Sequence, residues 1–264
     1  MLNISKSIRL KILKILFNSK ASHLGTSMSC VEILISIYSS IDCKKILVKA
    51  EDRCRVLVSK GHAAASTYAT MHHFGLITYK NLKTYHLDNS DLCGHVSHGV
   101  SCVEHSTGAL GHGMPVAVGC AVGLKAKGFK RARSFVVCGD GELQEGSIWE
   151  ALLLAGHLKL ENFCLLVDYN KISSITLTNN VSNLEPLKNK FESFSCSCEI
   201  VDGHNINQIK NSIKSNMFKG KPHVIICNTI KGKDVPFAEN QPDWHYKTLD
   251  EKLFIEAKQY LNNQ

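Results

Sequence analysis

Apolar residues recur in two rhythms along this chain. Near the start, Ile4, Ile8, Ile12 and Leu16 fall four apart, which puts them on one stripe of an amphipathic helix from Ser5 to about Ser19. Elsewhere the apolar positions gather into short, mostly β-rich runs: Arg55–Val58, Ser134–Cys138, Phe163–Val167, Glu199–Val201 and His223–Cys227. Runs of that length predict strands buried on both faces. Between them lie stretches of helical composition, Ser29 to Tyr38, Ala63 to His73, Met114 to Lys127, Leu143 to Leu160, Asn205 to Phe218 and Thr248 to Leu261. The Ala, Gly and Val content of 114–127 predicts a helix packed closely against a neighbour. A polar turn at Gly25-Thr26-Ser27, a long Gly- and His-rich loop over 88–113, a Ser/Thr/Asn loop over 173–183 and an irregular segment over 231–246 complete the outline. Strands alternating with helices predict an α/β fold, a parallel sheet with helices on both faces. No repeat or linker interrupts the pattern, so a single domain over 1–264 is expected.

Two of these strands end in residues that carry chemistry. Gly139-Asp140-Gly141 follows the run ending at Cys138, and Asp168-Tyr169-Asn170 follows the run ending at Val167. The helical stretch between them has the length of a crossover. A strand–helix–strand unit brings both strand ends to one edge of the sheet. Asp140 and Asn170 are therefore expected side by side at the carboxyl edge, where open α/β sheets bind ligands. One carboxylate and one amide oxygen suit a hard cation that keeps phosphate oxygens among its ligands. Mg²⁺ on a diphosphate fits that description better than an ion in an all-protein cage.

Composition narrows the alternatives. The formal charge of +8 comes mostly from scattered Lys, without an Arg cluster or basic–aromatic interleaving, so nucleic acid is not the expected partner. No apolar stretch reaches the roughly 20 residues of a membrane helix. The first twenty residues hold Lys and Arg but no acid, as a transit peptide would, yet their periodicity reads better as a helix. Eleven cysteines include no C-x-x-C pair, and several sit inside apolar runs; buried, reduced thiols in a cytoplasmic protein are expected.

Further segments occur in a fixed order: Ala21–Ser27, Ser59-Lys60-Gly61-His62, Cys93-Gly94-His95, Ser106–Gly113, Gly139–Gly146, Ala155–Leu158, Asn170–Ile172, and Lys231-Gly232-Lys233 with Trp244-His245. Together they resemble the N-terminal, thiamine diphosphate-binding domain of transketolase, over nearly the whole chain and with a close match to the form made as two polypeptides. The resemblance implies a transferase that moves a two-carbon ketol unit between sugar phosphates. Thiamine diphosphate would be its cofactor, with Mg²⁺ as the metal and Ca²⁺ or Mn²⁺ able to substitute. It implies Asp140, Asn170 and the Ile172 carbonyl as metal ligands. Gly141, His62 and His245 would meet the diphosphate, and Gly108, Ala109 and Leu110 the aminopyrimidine. His23 and His95 would meet sugar hydroxyls, with His245 also counted among the catalytic groups. Glu145 and Glu150 would couple the site to a partner's carboxylate. His72, His73, His98, His105 and His204 read as ordinary polar residues, and His157 as structural.

The domain that supplies that carboxylate is not part of the resemblance. A separate C-terminal, pyrimidine-domain subunit is expected, as an α2β2 assembly. Pentose phosphate sugars are the default substrates and a specialised sugar pathway is the alternative. Four positions depart from the family pattern: Ser22, His112, Asp234 and Tyr246. Asp234 adds negative charge near the diphosphate site, a cost if it points inward, and Tyr246 would narrow the substrate channel. Three other readings remain open: a subunit like 1-deoxyxylulose-phosphate synthase, one like the E1 α chain of a 2-oxoacid dehydrogenase, and a non-catalytic homologue.

Overall fold

The computed structural model describes residues 2–215 and 219–263. Its five strands are β1 (Arg55–Val58), β2 (Ser134–Gly139), β3 (Phe163–Tyr169), β4 (Ser197–Asp202) and β5 (His223–Asn228). All pair in parallel in the order β1-β2-β3-β5-β4. Successive residues of each central strand feed opposite faces. Val56, Val58, Phe135, Val137, Cys164, Leu166, Ile225 and Cys227 pack into one core. Leu57, Val136, Cys138, Leu165, Val167, Val224 and Ile226 pack into the other. The unbroken apolar runs follow from this, because neither face meets water.

The first core is covered by helices Leu2–Ser19, Val31–Tyr38, Ala64–His73, Ile206–Ser215 and Glu251–Asn263. Ile8, Ile12 and Leu16 of the first helix are fully buried there, as their spacing predicts. At roughly 1.5–3 kcal/mol for each large aliphatic side chain removed from water, that stripe alone anchors the helix. The second core is covered by Gly113–Ala126, Gly146–His157 and Leu187–Ser193.

Four local readings change. The segment around Gly25 is a helical turn, Leu24–Ser29, instead of an open polar turn. All six of its residues are buried, so its small polar side chains face protein instead of water. The 173–183 loop contains one helical turn, Thr178–Val181, and the Thr178 and Ser182 carbonyls accept from the Gln144 amide at 3.0 Å. Helix Leu187–Ser193 is too short to show a periodic stripe, and the sequence pattern does not announce it. Of the helix expected over 205–218, residues 216–218 lie outside the described residues. Finally, the 114–127 helix packs closely as expected, with Ala117 and Ala121 fully buried, but not through every small residue: a Cβ at Gly119 or Gly123 would meet nothing within 4 Å.

Candidate active site

The register of β2 against β3 pairs Gly139 with Asp168, so the two strands end level. Asp140 and Asn170 then line one cleft at the carboxyl edge, about 530 Å³ in volume, together with Gly141 and Ile172. The two turns touch. Asp140 accepts from the backbone N–H of Lys171, the residue after Asn170, and from Gly141 N–H at 2.7 Å. Asn170 is fixed as well: its Oδ1 accepts from Ile172 N–H at 3.0 Å and its amide donates to Ser29 Oγ at 3.1 Å. Asp140 is only 3% exposed, and among the described residues no cationic side chain pairs with it. Burial and the nearby Asp168 push its carboxyl up to about 6. A buried carboxylate with two backbone donors and no counter-ion, beside an amide oxygen, fits a hard divalent cation.

Beneath this rim lies a buried ion pair between Lys60 and Asp168. Asp168 also accepts from Ser29 Oγ at 2.7 Å and from Thr229 Oγ1. Burial alone would lower Lys60, but the Asp168 carboxylate overrides it and the ammonium is raised. Lys231 is different. Its ammonium donates to the Ser173 carbonyl at 2.6 Å and lies in no ion pair among the described residues. Burial, then repulsion from Lys60, lowers it to about 8. A buried ammonium without a carboxylate, on the wall of the same cleft, suits an anion.

Four imidazoles also line the cleft. The His23 ring centroid stands 5.8 Å from His62, 5.3 Å from His95 and 5.2 Å from His245, and His62 lies 5.0 Å from His245. Burial is the main cause that lowers all four. His23 falls to about 4 and His245 to about 3, with lesser repulsion from neighbouring imidazoles and lysines. They are neutral near pH 7, so each ring offers one donor and one acceptor, as sugar hydroxyls require. A bound polyanion would draw them upward again. His23 adopts φ 73° at the start of the Leu24–Ser29 turn, and its N–H is held by the His245 carbonyl at 3.1 Å.

The Gly-rich loop is clamped from below. Buried Glu142 accepts from Gly111 N–H at 3.0 Å, from Gly139 N–H at 3.4 Å and from Ser59 Oγ. Gly111 has φ 81°, and a Cβ there would come within 2.8 Å of the Glu145 Cβ. Gly61 backs onto the same loop, where a Cβ would stand 2.6 Å from the Thr107 carbonyl carbon.

Known proteins resemble this chain in sequence and fold. Residues 2–263 match the family described as "Transketolase, thiamine diphosphate binding domain". The chain belongs to that family. It is 41% identical over 247 residues to an apulose-4-phosphate transketolase subunit of Actinobacillus succinogenes, covering 92% of this chain and 89% of that one. It is 31% identical over 251 residues to a 6-deoxy-6-sulfo-D-fructose transketolase subunit of a Clostridium species, covering 92% and 89%. The crystal structure of Campylobacter jejuni transketolase superimposes with a TM-score of 0.86 at 27% identity, covering 99% of this chain. The chain spans 42% of the length of that transketolase.

Within this transketolase-family frame, the cleft gathers His23, His62, His95, Gly108, Leu110, Asp140, Gly141, Glu145, Asn170, Ile172 and His245. Ala109 is exposed beside it without lining it, and Glu150 is exposed on helix Gly146–His157, outside the cleft. Of the four departures, Tyr246 lines the cleft and His112 does not. Ser22 is half-buried. Asp234 turns away: its carboxylate lies 3.3 Å from Arg9 and 3.5 Å from Lys233, so its charge is spent outside the cleft. In the sequence, Lys60, Asp168, Glu142 and Lys231 stand only as parts of motifs. Their roles come from contacts between distant positions, 108 apart for Lys60 and Asp168 and 139 apart for Ser29 and Asp168.

Proposed function

We propose that this chain, as a single diphosphate-binding domain over 1–264, is one half of a two-subunit transketolase. One observation carries the reading. A buried carboxylate and a buried ammonium, neither in an ion pair among the described residues, line one cleft at the carboxyl edge together with an amide oxygen. That charge pattern complements a divalent cation on a diphosphate. Asp140, Asn170 and the Ile172 carbonyl would hold Mg²⁺, or Ca²⁺ or Mn²⁺ in its place. Lys231 would meet the diphosphate charge, with N–H donors from Gly141, His62 and His245. Gly108, Ala109 and Leu110 would offer backbone to the aminopyrimidine.

Bound thiamine diphosphate supplies the nucleophilic carbon and electron sink for cleavage beside a ketose carbonyl. This chain's own contribution is placement. His23, His95 and His245, held neutral near pH 7 by burial, would orient sugar hydroxyls and pass protons between them. Buried Glu142 keeps the 107–111 loop in position. Glu145, at the start of helix Gly146–His157, and Glu150, on its exposed face, would bridge to the partner's carboxylate.

An exposed surface favours a partner. Leu153, Leu154 and Leu158 are 64%, 48% and 37% exposed, on or just after the helix that carries Glu150. The neighbouring helix bares Gly119 and Gly123. Relatives whose names mark them as single subunits of a transketolase favour a separately made pyrimidine-domain subunit, and we assign an α2β2 assembly. Substrates named for the relatives, apulose 4-phosphate and 6-deoxy-6-sulfo-D-fructose, favour an acidic sugar of a specialised pathway over the common pentose phosphates. The eleven free cysteines fit a reducing, cytoplasmic setting. The test is ketol transfer assayed with this chain alone and with the pyrimidine-domain subunit. Activity is expected only from the pair; full activity of the lone chain contradicts the reading.

A further inference from the structure

A second polar cluster lies beside the cleft, and the mechanism above does not use it. Arg9, on the first helix, is 2% exposed at its side chain. It binds both oxygens of Glu32, Nη1 to Oε1 at 2.6 Å and Nη2 to Oε2 at 2.9 Å. Its Nη2 also donates to the Met28 carbonyl at 3.2 Å, and Nη1 stands 3.3 Å from Asp234. Glu32 accepts in addition from His204 Nδ1 at 2.9 Å. The other ring nitrogen, Nε2, accepts the backbone N–H of Ile230 at 2.9 Å. An acceptor at Nε2 fixes the tautomer, so Nδ1 carries the proton toward Glu32. Burial alone would raise Glu32, but the His204 hydrogen bond and Arg9 outweigh it and hold the carboxylate down to about 2.

The chain from Arg9 through Glu32 and His204 therefore ends on the backbone one residue before Lys231. The neighbouring N–H groups are tied to main chain: Thr229 to the Tyr169 carbonyl at 3.2 Å and Gly232 to the Gly25 carbonyl at 2.8 Å. Ile230 is instead tied to a side chain. His204 is thus the side chain that holds a backbone N–H of this segment, beside the separate Thr229 hydroxyl bond to Asp168.

We propose that His204 is a positioning residue for Lys231, holding the 230–231 backbone so that the ammonium faces a bound diphosphate. The proposal rests on the reading of the cleft given above. His204 does not line the cleft; it acts through the Ile230 N–H. Two substitutions separate its two bonds. His204→Asn keeps a donor near the Nδ1 position for Glu32 and loses the acceptor for Ile230. His204→Gln keeps an acceptor near the Nε2 position and loses the donor to Glu32.

The experiment uses the full chain assembled with the pyrimidine-domain subunit. It measures hydrogen exchange over residues 229–233, the Kd of inorganic pyrophosphate with Mg²⁺, and Tm. For His204→Asn, exchange should speed up and the Kd should rise, each about tenfold, the scale of one lost buried hydrogen bond. His204→Gln should stay within about threefold of wild type in both, even if its Tm falls as far. Equal behaviour of the two variants, or a Kd within about twofold of wild type for both, overturns the proposal. Should the wild-type assembly fail to bind pyrophosphate, the reading of the cleft falls. Exchange at 229–233 then decides by itself whether His204 holds the segment.

Discussion

At the scale of single residues, the cleft divides its charge between positions with different visibility. Asp140 and Asn170 are legible in the sequence because each follows a strand-like run, and a crossover of known length fixes their side of the sheet. Lys60, Asp168 and Lys231 are not legible in the same way. Nothing local marks a lysine as buried, and Lys60 finds its carboxylate 108 positions away. Asp234 shows the converse, since its charge looks harmful in the sequence and proves to be spent on Arg9. Lys231 yields a pH prediction. Its ammonium, lowered to about 8 by burial, is unfavourable in the folded chain. The unfolded chain holds that proton more firmly, so the folded protein gains stability from this group as pH rises from about 8 toward the ordinary lysine value. An anion acts oppositely, because it needs the charge. Pyrophosphate affinity should fall as pH rises past about 8 in wild type, and should be weaker with that step absent in Lys231→Met. Isothermal titration between about pH 6.5 and 9.5 brackets that step and checks this, and an unchanged step in the variant would assign it elsewhere.

At the scale of elements, the strands and long helices follow from apolar spacing, and the errors fall where spacing is silent. Helix Leu187–Ser193 is too short for a stripe. The Leu24–Ser29 turn is small and polar, which in isolation marks a loop, but here those side chains fill a buried crossing. Loop 88–113 is recognisable as functional from its Gly and His content, whereas its support is not. Gly61 supplies part of that support by letting the turn after β1 lie against Thr107. A methyl group 2.6 Å from a carbonyl carbon has no flexible side chain to push aside. Gly61→Ala should therefore cost about 1–3 kcal/mol of stability, as overpacking does, and weaken cofactor binding by displacing the 107–110 backbone. Denaturant unfolding and a binding titration test both halves. A variant of wild-type stability and affinity would show that the loop is not braced there.

At the scale of the whole molecule, the sheet order and both cores agree with the architecture read from alternating strands and helices. A paired assembly is a matter of surface, and sequence periodicity speaks poorly of surfaces. The small residues of 114–127 suggest close packing within the chain, yet Gly119 and Gly123 lie open, on the helix packed beside the one that carries exposed Leu153 and Leu154. This surface has a direct test. Leu154→Glu replaces a half-exposed side chain, so folding stability should change by less than about 0.5 kcal/mol. Assembly with the pyrimidine-domain subunit should fail or weaken strongly in sedimentation velocity. Undisturbed assembly would move the interface off this face.

The proposed grip of Asp140 and Asn170 on a metal–diphosphate pair is read out by binding with fewer steps between than by turnover. Thiamine diphosphate is titrated into the assembled protein with Mg²⁺ and with EDTA, for wild type and for Asp140→Ala, with circular dichroism confirming that both are folded. Wild type should bind tightly only with the metal, and Asp140→Ala should lose that metal-dependent gain. A folded Asp140→Ala protein that keeps the full Mg²⁺-dependent affinity would contradict the account.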